Sequence, residues 1–410
     1  MDEKGYIILY NERGETIEMT KDWQIPPDAY NYIIYEWGNL VKAKNSVAGK
    51  VEFKDTDAKT VIQSATDAID AGKIALKEGI YNISDTIVIG GEKSIILEGS
   101  GTDHTVLRWV GGSGTSEDRV AVLQVGDGTY HYNNSYYEVS NLKVLVDGPC
   151  DYIDGVFVYH ADKVTLRNIH ARVINRGTED CGFNIAMAGT GRGGYFEGLS
   201  AYGWTYGFRI AGDIMVFVNP VAAFCYRGFD LLTQIYAVTL LNPQTHLAEY
   251  RALHIDVGYA AQASIINPVF EGEPETYDIY ISGLSHADTY NFIQIFGLGV
   301  GPEERKAKIG VWDASWFKGI FLYGKPFENG GVATFSGDGS TTQFAIPHGV
   351  AYPDIGTGTY HPKKLVVVPL SPDAAGDFYV TVDANNIYVH YKTAPPAGTD
   401  NIKLYWYIRL

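Results

Sequence analysis

The chain has 410 residues, of which 46% are hydrophobic and 20% are charged. This composition allows a full hydrophobic core, excludes wholesale disorder, and predicts two or three domains or one long repetitive domain. Lysine and arginine number 32 against 48 aspartate and glutamate residues, which gives a formal net charge of −16. A general basic surface for nucleic acid is therefore excluded, because phosphate binding needs clustered cations.

Membrane, disulfide and metal signals are absent from the sequence. No apolar run reaches the ~18 residues of a membrane helix, and the first residues lack the apolar core of a signal peptide, so we expect no membrane insertion. Three cysteines without a CxxC pair predict packed free thiols. The ten histidines form no HExxH or His-x-His cluster, so we expect no metal and no cofactor.

A segment that precedes the repeats, Thr60–Ala71, carries apolar residues at helical spacing, and Gly72 is its predicted C-terminal stop. From residue 155 onward a short apolar pattern recurs at intervals of 21 to 27 residues. Its copies are GVFVY, GFNIA, GFRIA, GFDLL, ALHID and TYDIY, which begin at Gly155, Gly182, Gly207, Gly228, Ala252 and Thr276. A second pattern ends in an asparagine, followed in most copies by proline, and this marks a turn. Short β-rich runs at this period predict a parallel β-solenoid, because stacked coils share one core.

Two glycine-rich coils follow the predicted helix. Their sequences, GKIALKEGIYNI and SIILEGSG with the TVL that follows it, resemble the opening coils of the pectate-lyase-like superfamily, which includes phage tailspikes. The matching residues are Gly72, Ile74, Gly79, Tyr81, Ile83, Leu97, Gly99, Gly101, Thr105 and Leu107. The resemblance covers about residues 56 to 325. It implies an all-β fold, a right-handed parallel β-helix with an N-terminal capping helix, but no particular chemistry, because this fold hosts lyases, hydrolases, epimerases and inert adhesins.

The texture of the sequence changes near residue 330. Alternating apolar and polar residues between Pro and Gly turns predict an antiparallel β-sandwich over residues 330–410, with a hairpin around Asp338–Gly339. Glu328–Gly331 is the predicted linker, and the β-helix is assigned to residues 56–329.

Residues 1–55 form a predicted N-terminal arm that is rich in aromatic side chains. Such side chains are costly to leave in water, and the solenoid has flat lateral faces, so we expect a homotrimer in which the arm contacts a partner subunit. The aromatic residues concerned are Trp23, Tyr30, Tyr32, Tyr35 and Trp37.

The repeat register predicts a column of polar residues on the outer surface. Equivalent positions stack ~4.8 Å apart on successive coils, and alternate residues of each strand point outward. The predicted outward positions are Phe157, Asn184, Arg209, Asp230, His254 and Asp278. Arg209, Asp230, His254 and Asp278 are the catalytic candidates, because two carboxylates ~10 Å apart approach the spacing of inverting glycosidases. Asp256 points the same way and can replace either carboxylate. The alternative is an ordinary solvated strand face.

Aromatic and charged residues also precede each first strand. The candidate substrate-binding residues are Trp204, Tyr206, Tyr226, Glu249, Tyr250 and Arg251. Flat rings cover the faces of sugar rings, while guanidinium and carboxylate groups bind hydroxyl or uronate oxygens. Lateral packing in a trimer is an equally physical use of the same side chains.

These features favour a tailspike-like, homotrimeric protein of the virion tail or the extracellular space that binds surface polysaccharide, with glycoside hydrolysis as its candidate activity. The alternative is a non-catalytic structural or adhesive fibre protein. A polysaccharide lyase is a weaker alternative, because the calcium-binding motifs of pectate lyases are not recognisable here.

Overall fold

A computed structural model describes the chain over residues 7–10, 16–19, 30–129, 135–148, 150–161, 163–187, 193–256, 260–272, 274–282, 292–301, 307–313, 320–324, 326–357 and 361–410. Trp23 of the predicted arm lies outside these ranges. The elements before the solenoid are β1 (Ile7–Tyr10), β2 (Thr16–Met19), β3 (Tyr32–Trp37), β4 (Leu40–Asn45), β5 (Lys50–Asp55) and α1 (Ala58–Asp67).

Short parallel strands then build a β-solenoid of about 8 turns, so the predicted parallel β-helix is confirmed. The solenoid strands are β6 (Ala71–Leu76), β7 (Gly79–Ile83), β8 (Ile87–Ile89), β9 (Ser94–Gly99), β10 (Thr105–Trp109), β11 (Val120–Val125), β12 (Tyr136–Val146), β13 (Ile153–Tyr159), β14 (Val164–Val173), β15 (Cys181–Met187), β16 (Gly194–Glu197), β17 (Ser200–Tyr202), β18 (Tyr206–Val218), β19 (Val221–Ala223), β20 (Arg227–Leu241), β21 (Gln244–His246), β22 (Arg251–Asp256), β23 (Ala260–Ile266), β24 (Val269–Glu271), β25 (Tyr277–Ser282), β26 (Phe292–Phe296), β27 (Gly299–Gly301), β28 (Ile309–Asp313) and β29 (Ile320–Tyr323).

The strands pair with their counterparts one coil away and form three stacks. One of these stacks carries the first repeat pattern, and we call it the third stack. It runs through β8, β11, β13, β15, the start of β18, the start of β20, β22, β25 and β28. Its inward side chains meet like partners. Phe208 stacks on Phe183 at 5.0 Å and on Phe229 at 4.9 Å between ring centroids, and all three rings are fully buried. The predicted inward positions of these coils are therefore core.

One corner of the solenoid is lined by asparagines in the left-handed backbone region. Asn219, Asn242 and Asn267 have φ values of 52°, 49° and 51°. Their side-chain amides link successive coils, since Asn242 donates to Asn219 at 3.1 Å and Asn267 to Asn242 at 3.4 Å. Asparagine tolerates this backbone conformation better than most residues, and the amide chain satisfies the exposed corner. The Asn-containing turns of the sequence are this corner.

The N-terminal end of the solenoid is covered by its own chain. Strand β3 pairs in parallel with β6 and in antiparallel with β4, so residues 30–55 extend the solenoid. Tyr32 and Tyr35 are buried there without a partner subunit, contrary to the role predicted for the arm. Helix α1 begins after the cap residue Asp57 and ends at Asp67, four residues before the predicted end. Gly72 lies within β6 instead, because β6 resumes pairing at Ala71.

Separate antiparallel sheets follow near the C terminus. Their strands are β30 (Glu328–Gly337), β31 (Gln343–Pro347), β33 (Lys364–Pro369), β34 (Phe378–Val382), β35 (Asn386–Tyr391) and β36 (Gly398–Arg409). The intervening strand, β32 (Asp354–Thr357), pairs with β28 of the solenoid instead. One sheet has the order β30-β36-β33 and the other β31-β35-β34. The predicted hairpin around Asp338–Gly339 is wrong, because β30 and β31 pair in different sheets. The predicted linker Glu328–Gly331 is the start of β30.

Candidate functional site

The outward column on the third stack is continuous across its central coils. Cross-strand pairing places Asn184 beside Arg209, Arg209 beside Asp230, and Asp230 beside His254. The next member is Tyr280. We define the outward column by these five residues: Asn184, Arg209, Asp230, His254 and Tyr280.

Asp278 is not part of this column, which corrects the sequence prediction. Leu253 pairs with Ile279, so the coil that leads to the last of the six repeat copies is two residues longer than the repeat pattern suggests. Asp278 is fully buried, and one of its carboxylate oxygens accepts a hydrogen bond from the backbone N–H of Lys308 at 2.7 Å. The predicted pair of carboxylates, Asp230 and Asp278, therefore does not share the outer surface.

Three side chains on three successive strands form a hydrogen-bonded chain. Nδ1 of His254 lies 2.5 Å from Oδ1 of Asp230, and Nε2 of His254 lies 2.6 Å from Oγ of Ser282. Asp230 is buried and also lies 3.8 Å from a guanidinium nitrogen of Arg227. Because a carboxylate oxygen can only accept a hydrogen bond, we assign the N–H of the imidazole to Nδ1. In the neutral ring Nε2 then accepts from the hydroxyl of Ser282.

Tyrosine rings and arginine side chains alternate on this part of the surface, and they include Arg209 and Tyr280 of the column. We call this set the tyrosine–arginine ladder: Tyr206, Arg209, Arg227, Tyr250, Arg251 and Tyr280. Arg227 lies 5.3 Å from the ring of Tyr206 and 5.6 Å from that of Tyr250. Arg251 lies 4.6 Å from Tyr250 and 3.7 Å from Tyr280. These distances are within the range of cation–π attraction, which lets cations stack on adjacent coils without carboxylates between them.

Three donors of the ladder are buried in its packing. In the described part of the chain, the buried Nε atoms of Arg209, Arg227 and Arg251 have no hydrogen-bond partner, and neither has that of Arg172 outside the ladder. Buried donors without partners are rare in folded proteins. Because these atoms are buried, a ligand at the surface does not reach them.

Two further predicted binding residues border the ladder. The rings of Tyr226 and Tyr250 are stacked at 5.0 Å and nearly parallel. Glu249 is exposed and accepts two hydrogen bonds from Arg176, at 2.9 and 2.8 Å. These residues therefore form an aromatic and charged rim beside the ladder.

Trp204 is not at the surface, which is a second correction. Its ring is fully buried, and its indole N–H donates to the carbonyl oxygen of Ala171 at 3.0 Å. A Cβ added at Gly155 or Gly182 would lie 3.2 Å from the indole, so the glycines that begin two repeats leave room for this ring. Tyr206 is also largely buried, with its hydroxyl donating to Glu179 at 3.0 Å.

Asp256 lies one coil from Asp230 and two residues further along the strand. Burial raises the pKa of its carboxyl group, the nearby charge of Asp230 adds to this, and His254 opposes it. In register it pairs with Ser282, at the same end of the site.

A cavity of about 510 Å³ adjoins the ladder, within the usual range for ligand pockets. It lies where β32 joins the solenoid, and its lining includes Glu275, Tyr277, Lys308, Tyr352 and Asp354. The hydroxyl of Tyr277 donates to Asp354 at 2.8 Å, and burial, together with this carboxylate, raises the pKa of Tyr277 to about 12. The rings of Tyr277 and Tyr280 are stacked at 5.3 Å, which connects the cavity to the ladder.

Other reactive groups of the described residues do not form a second centre. Within these residues there is no cluster of three or more His, Cys, Asp or Glu side chains that could hold a metal ion. Cys150, Cys181 and Cys225 are buried free thiols, and burial raises the pKa of Cys225 to about 12. In the part of the chain that the structure describes, no helix is long and apolar enough to span a bilayer.

Sequence reasoning missed Ser282, Tyr280 and the stacking role of Arg227. The signal for the first two was present, because the strand TYDIYIS alternates equally well in two frames that differ by two residues. The frame beginning at Thr276 selects Asp278, whereas the observed frame selects Tyr280 and then Ser282.

The sequence matches no protein-family model and no curated protein. Among solved structures, the chain is similar to the A-module of mannuronan C-5 epimerase AlgE6 of Azotobacter vinelandii, at 17% identity and a TM-score of 0.42, over 64% of this chain and 78% of that one. It is similar to ORF18 of Geobacillus virus E2, at 14% identity and a TM-score of 0.39, over 85% and 75% of the two chains. It is also similar to tailspike gp61 of Pseudomonas phage phi297, at 11% identity and a TM-score of 0.27, over 85% and 91%. No activity follows from similarities of this size.

The burial of Trp204 generates a stability prediction. We expect Trp204→Ala to lower the free energy of unfolding by about 3–5 kcal/mol, because it leaves a large cavity in the core. Tyr250→Ala, which removes a half-buried ring of the ladder, serves as the control and should cost less. Urea unfolding followed by fluorescence measures both, and a Trp204→Ala chain as stable as the wild type would contradict the core assignment.

Proposed function

We propose that the protein binds a surface polysaccharide along the tyrosine–arginine ladder. The observation that carries the proposal is the alternation of Tyr206, Arg227, Tyr250, Arg251 and Tyr280 over adjacent coils. The half-buried rings of Tyr250 and Tyr280 supply apolar surface for a sugar. The guanidinium groups supply donors for uronate or other acidic groups. The strand spacing makes the binding surface linear, which suits a polymer.

Replacing Arg251 tests the ladder as the binding surface. We expect Arg251→Ala to weaken binding of a uronate-containing polysaccharide by roughly 10- to 100-fold, because a charged hydrogen bond contributes about 1.5–3 kcal/mol. Arg167→Ala is the matched control, since Arg167 also lies over a tyrosine ring, Tyr195, but elsewhere on the solenoid. Calorimetric titration against a panel of neutral and acidic polysaccharides gives the affinities. Equal losses in the two variants, or binding unaffected by Arg251→Ala, would contradict the proposal.

Glycoside hydrolysis is a second candidate function, favoured by the raised pKa of Asp256. A general acid must be protonated at the working pH, and burial moves Asp256 in that direction. Strand spacing and rise place the backbone positions of Asp256 and Asp230 roughly 8 Å apart. Asp256 thus takes the role that the sequence analysis gave to Asp278.

The pH dependence of cleavage follows from this role. We expect chain cleavage to decline as pH rises through the raised pKa of Asp256, because the proton needed by the leaving group is then lost. Asp256→Asn should lower the rate on the order of 10²–10⁴-fold. Reducing-end assays on a polysaccharide that the protein binds measure both effects. The control is Asp213→Asn, which replaces a partly exposed aspartate of β18. Cleavage by Asp256→Asn at the wild-type rate would contradict the role of Asp256 as the general acid.

We also propose that the protein is a homotrimer. The proposal includes a C-terminal β-sandwich and localisation to a virion tail or to the extracellular space. Since Tyr32 and Tyr35 are satisfied within the chain, support comes instead from a corner of the solenoid. Ile174, Phe224 and Leu247 are 55%, 44% and 51% exposed there. Phe224 and Leu247 follow paired strands on adjacent coils, and an exposed apolar patch of this kind suits packing against a second copy. For the sandwich, Phe335 and Phe344 from the two C-terminal sheets lie 5.1 Å apart.

Light scattering tests the assembly. We expect the mass of three chains at micromolar concentration, and a shift to one chain when Phe224 and Leu247 are both replaced by Glu. Val332→Glu, at an exposed apolar position of β30, is the control and should leave the mass unchanged. A wild-type mass of a single chain would reject the trimer.

A further inference from the structure

The chain of hydrogen bonds from Asp230 through His254 to Ser282 has the order carboxylate, imidazole, hydroxyl. Both bonds of the imidazole are short, at 2.5 Å to the carboxylate and 2.6 Å to the hydroxyl. This arrangement activates a serine as a nucleophile in hydrolases of unrelated folds, and it is recognised by geometry and roles rather than by sequence position.

The surroundings assign a different role to each of the three groups. Asp230 is buried, and Arg227 lies 3.8 Å from its carboxylate, so it stays fixed and orients the imidazole. His254 and Ser282 are both partly exposed, as the access of a substrate to the hydroxyl requires. The side chains of Tyr280 and Ser282 are two residues apart on one face of β25, about 7 Å along the strand, close to the length of one sugar ring.

We propose that Ser282, His254 and Asp230 form a catalytic triad that hydrolyses acyl esters carried by sugar hydroxyls. The ester class follows from the position of Ser282 at the end of the tyrosine–arginine ladder. A sugar ring that lies beside Tyr280 presents its substituents to the neighbouring hydroxyl. This inference rests on the proposed function only for the sugar part of the substrate; the reaction itself needs only the triad.

The reaction balances without a cofactor. Oγ of Ser282 attacks the ester carbonyl carbon while its proton passes to Nε2 of His254. The tetrahedral intermediate collapses, the C–O bond to the sugar breaks, and the sugar oxygen takes the proton from Nε2. Water then attacks the carbonyl carbon of the acyl-serine while Nε2 accepts one of its protons. The bond from this carbon to Oγ breaks, Oγ of Ser282 regains the proton from Nε2, and the carboxylic acid leaves.

Two reagents test the triad independently of polysaccharide binding. We expect a fluorophosphonate probe to label the wild-type protein at Ser282, as mapped by peptide mass spectrometry, and we expect p-nitrophenyl acetate to be hydrolysed. Ser282→Ala should reduce both to background. Asp230→Asn should lower the hydrolysis rate by about 10⁴-fold, because the wrong tautomer of His254 is then favoured.

Ser264→Ala is the matched control. Ser264 is also a partly exposed strand serine of the solenoid, but it lies on β23 and pairs with Thr239 and Gln294. This variant should keep wild-type labelling and hydrolysis. Circular dichroism and thermal unfolding verify that Ser282→Ala and Asp230→Asn are folded; should Asp230→Asn not fold, the labelling rate of His254→Gln takes its place and should fall on the order of 10²–10⁴-fold.

The physiological ester is tested by release of acetate from an O-acetylated polysaccharide, with the chemically deacetylated polymer as the binding control. Acetate release by the wild type and not by Ser282→Ala supports the proposal. Absence of labelling at Ser282, or ester hydrolysis equal in the wild type and Ser282→Ala, overturns it. Binding of the deacetylated polymer without ester hydrolysis would leave the proposed function standing while the triad fails, and hydrolysis of the small ester without polymer binding would do the reverse.

Discussion

The structure depends on one constraint, which is that parallel strands stack each position on its own counterpart roughly 4.8 Å away. A residue type suitable for one coil is therefore brought against itself or its near equivalent in the next. Inside the solenoid this favours phenylalanine on phenylalanine, as in the row through Phe208. At a corner it favours asparagine on asparagine, where the amides bond to each other and the backbone adopts a left-handed conformation. The repeat is a consequence of this geometry.

The same constraint shapes the outer surface. Like charges on neighbouring coils would repel each other at this spacing, so a row of ionisable side chains needs a compensating arrangement. On the third stack it consists of tyrosine rings between arginines and of carboxylates near them. Arg251 lies between Tyr250 and Tyr280, and Arg227 lies between Tyr206 and Tyr250. The rings therefore hold the arginines of neighbouring coils in place.

The stacking also brings chemistry together from distant points of the sequence. Asp230, His254 and Ser282 come from three successive coils, and each contributes one group to a single line of hydrogen bonds. Such a line needs no loop or metal to hold it, since the strands fix the backbone of all three residues. Binding and reaction would share one face, with the ladder holding the polymer and the triad at its end.

The sequence by itself determined the β-helix, its capping helix, the inward rows and the placement of Arg209, Asp230 and His254 in one column, because periodicity and alternation are local properties of the chain. It did not determine the register of the last repeat copy, since TYDIYIS keeps its alternation when it is shifted by two residues. Only the observed pairing replaces Asp278 with Tyr280 and adds Ser282. Nor did it separate Trp204 from the surface tyrosines, because burial depends on the space left by glycines of neighbouring coils. The hydrogen bonds of His254 were likewise decided by tertiary structure, since their direction depends on side-chain positions from strands that are 24 and 28 residues away.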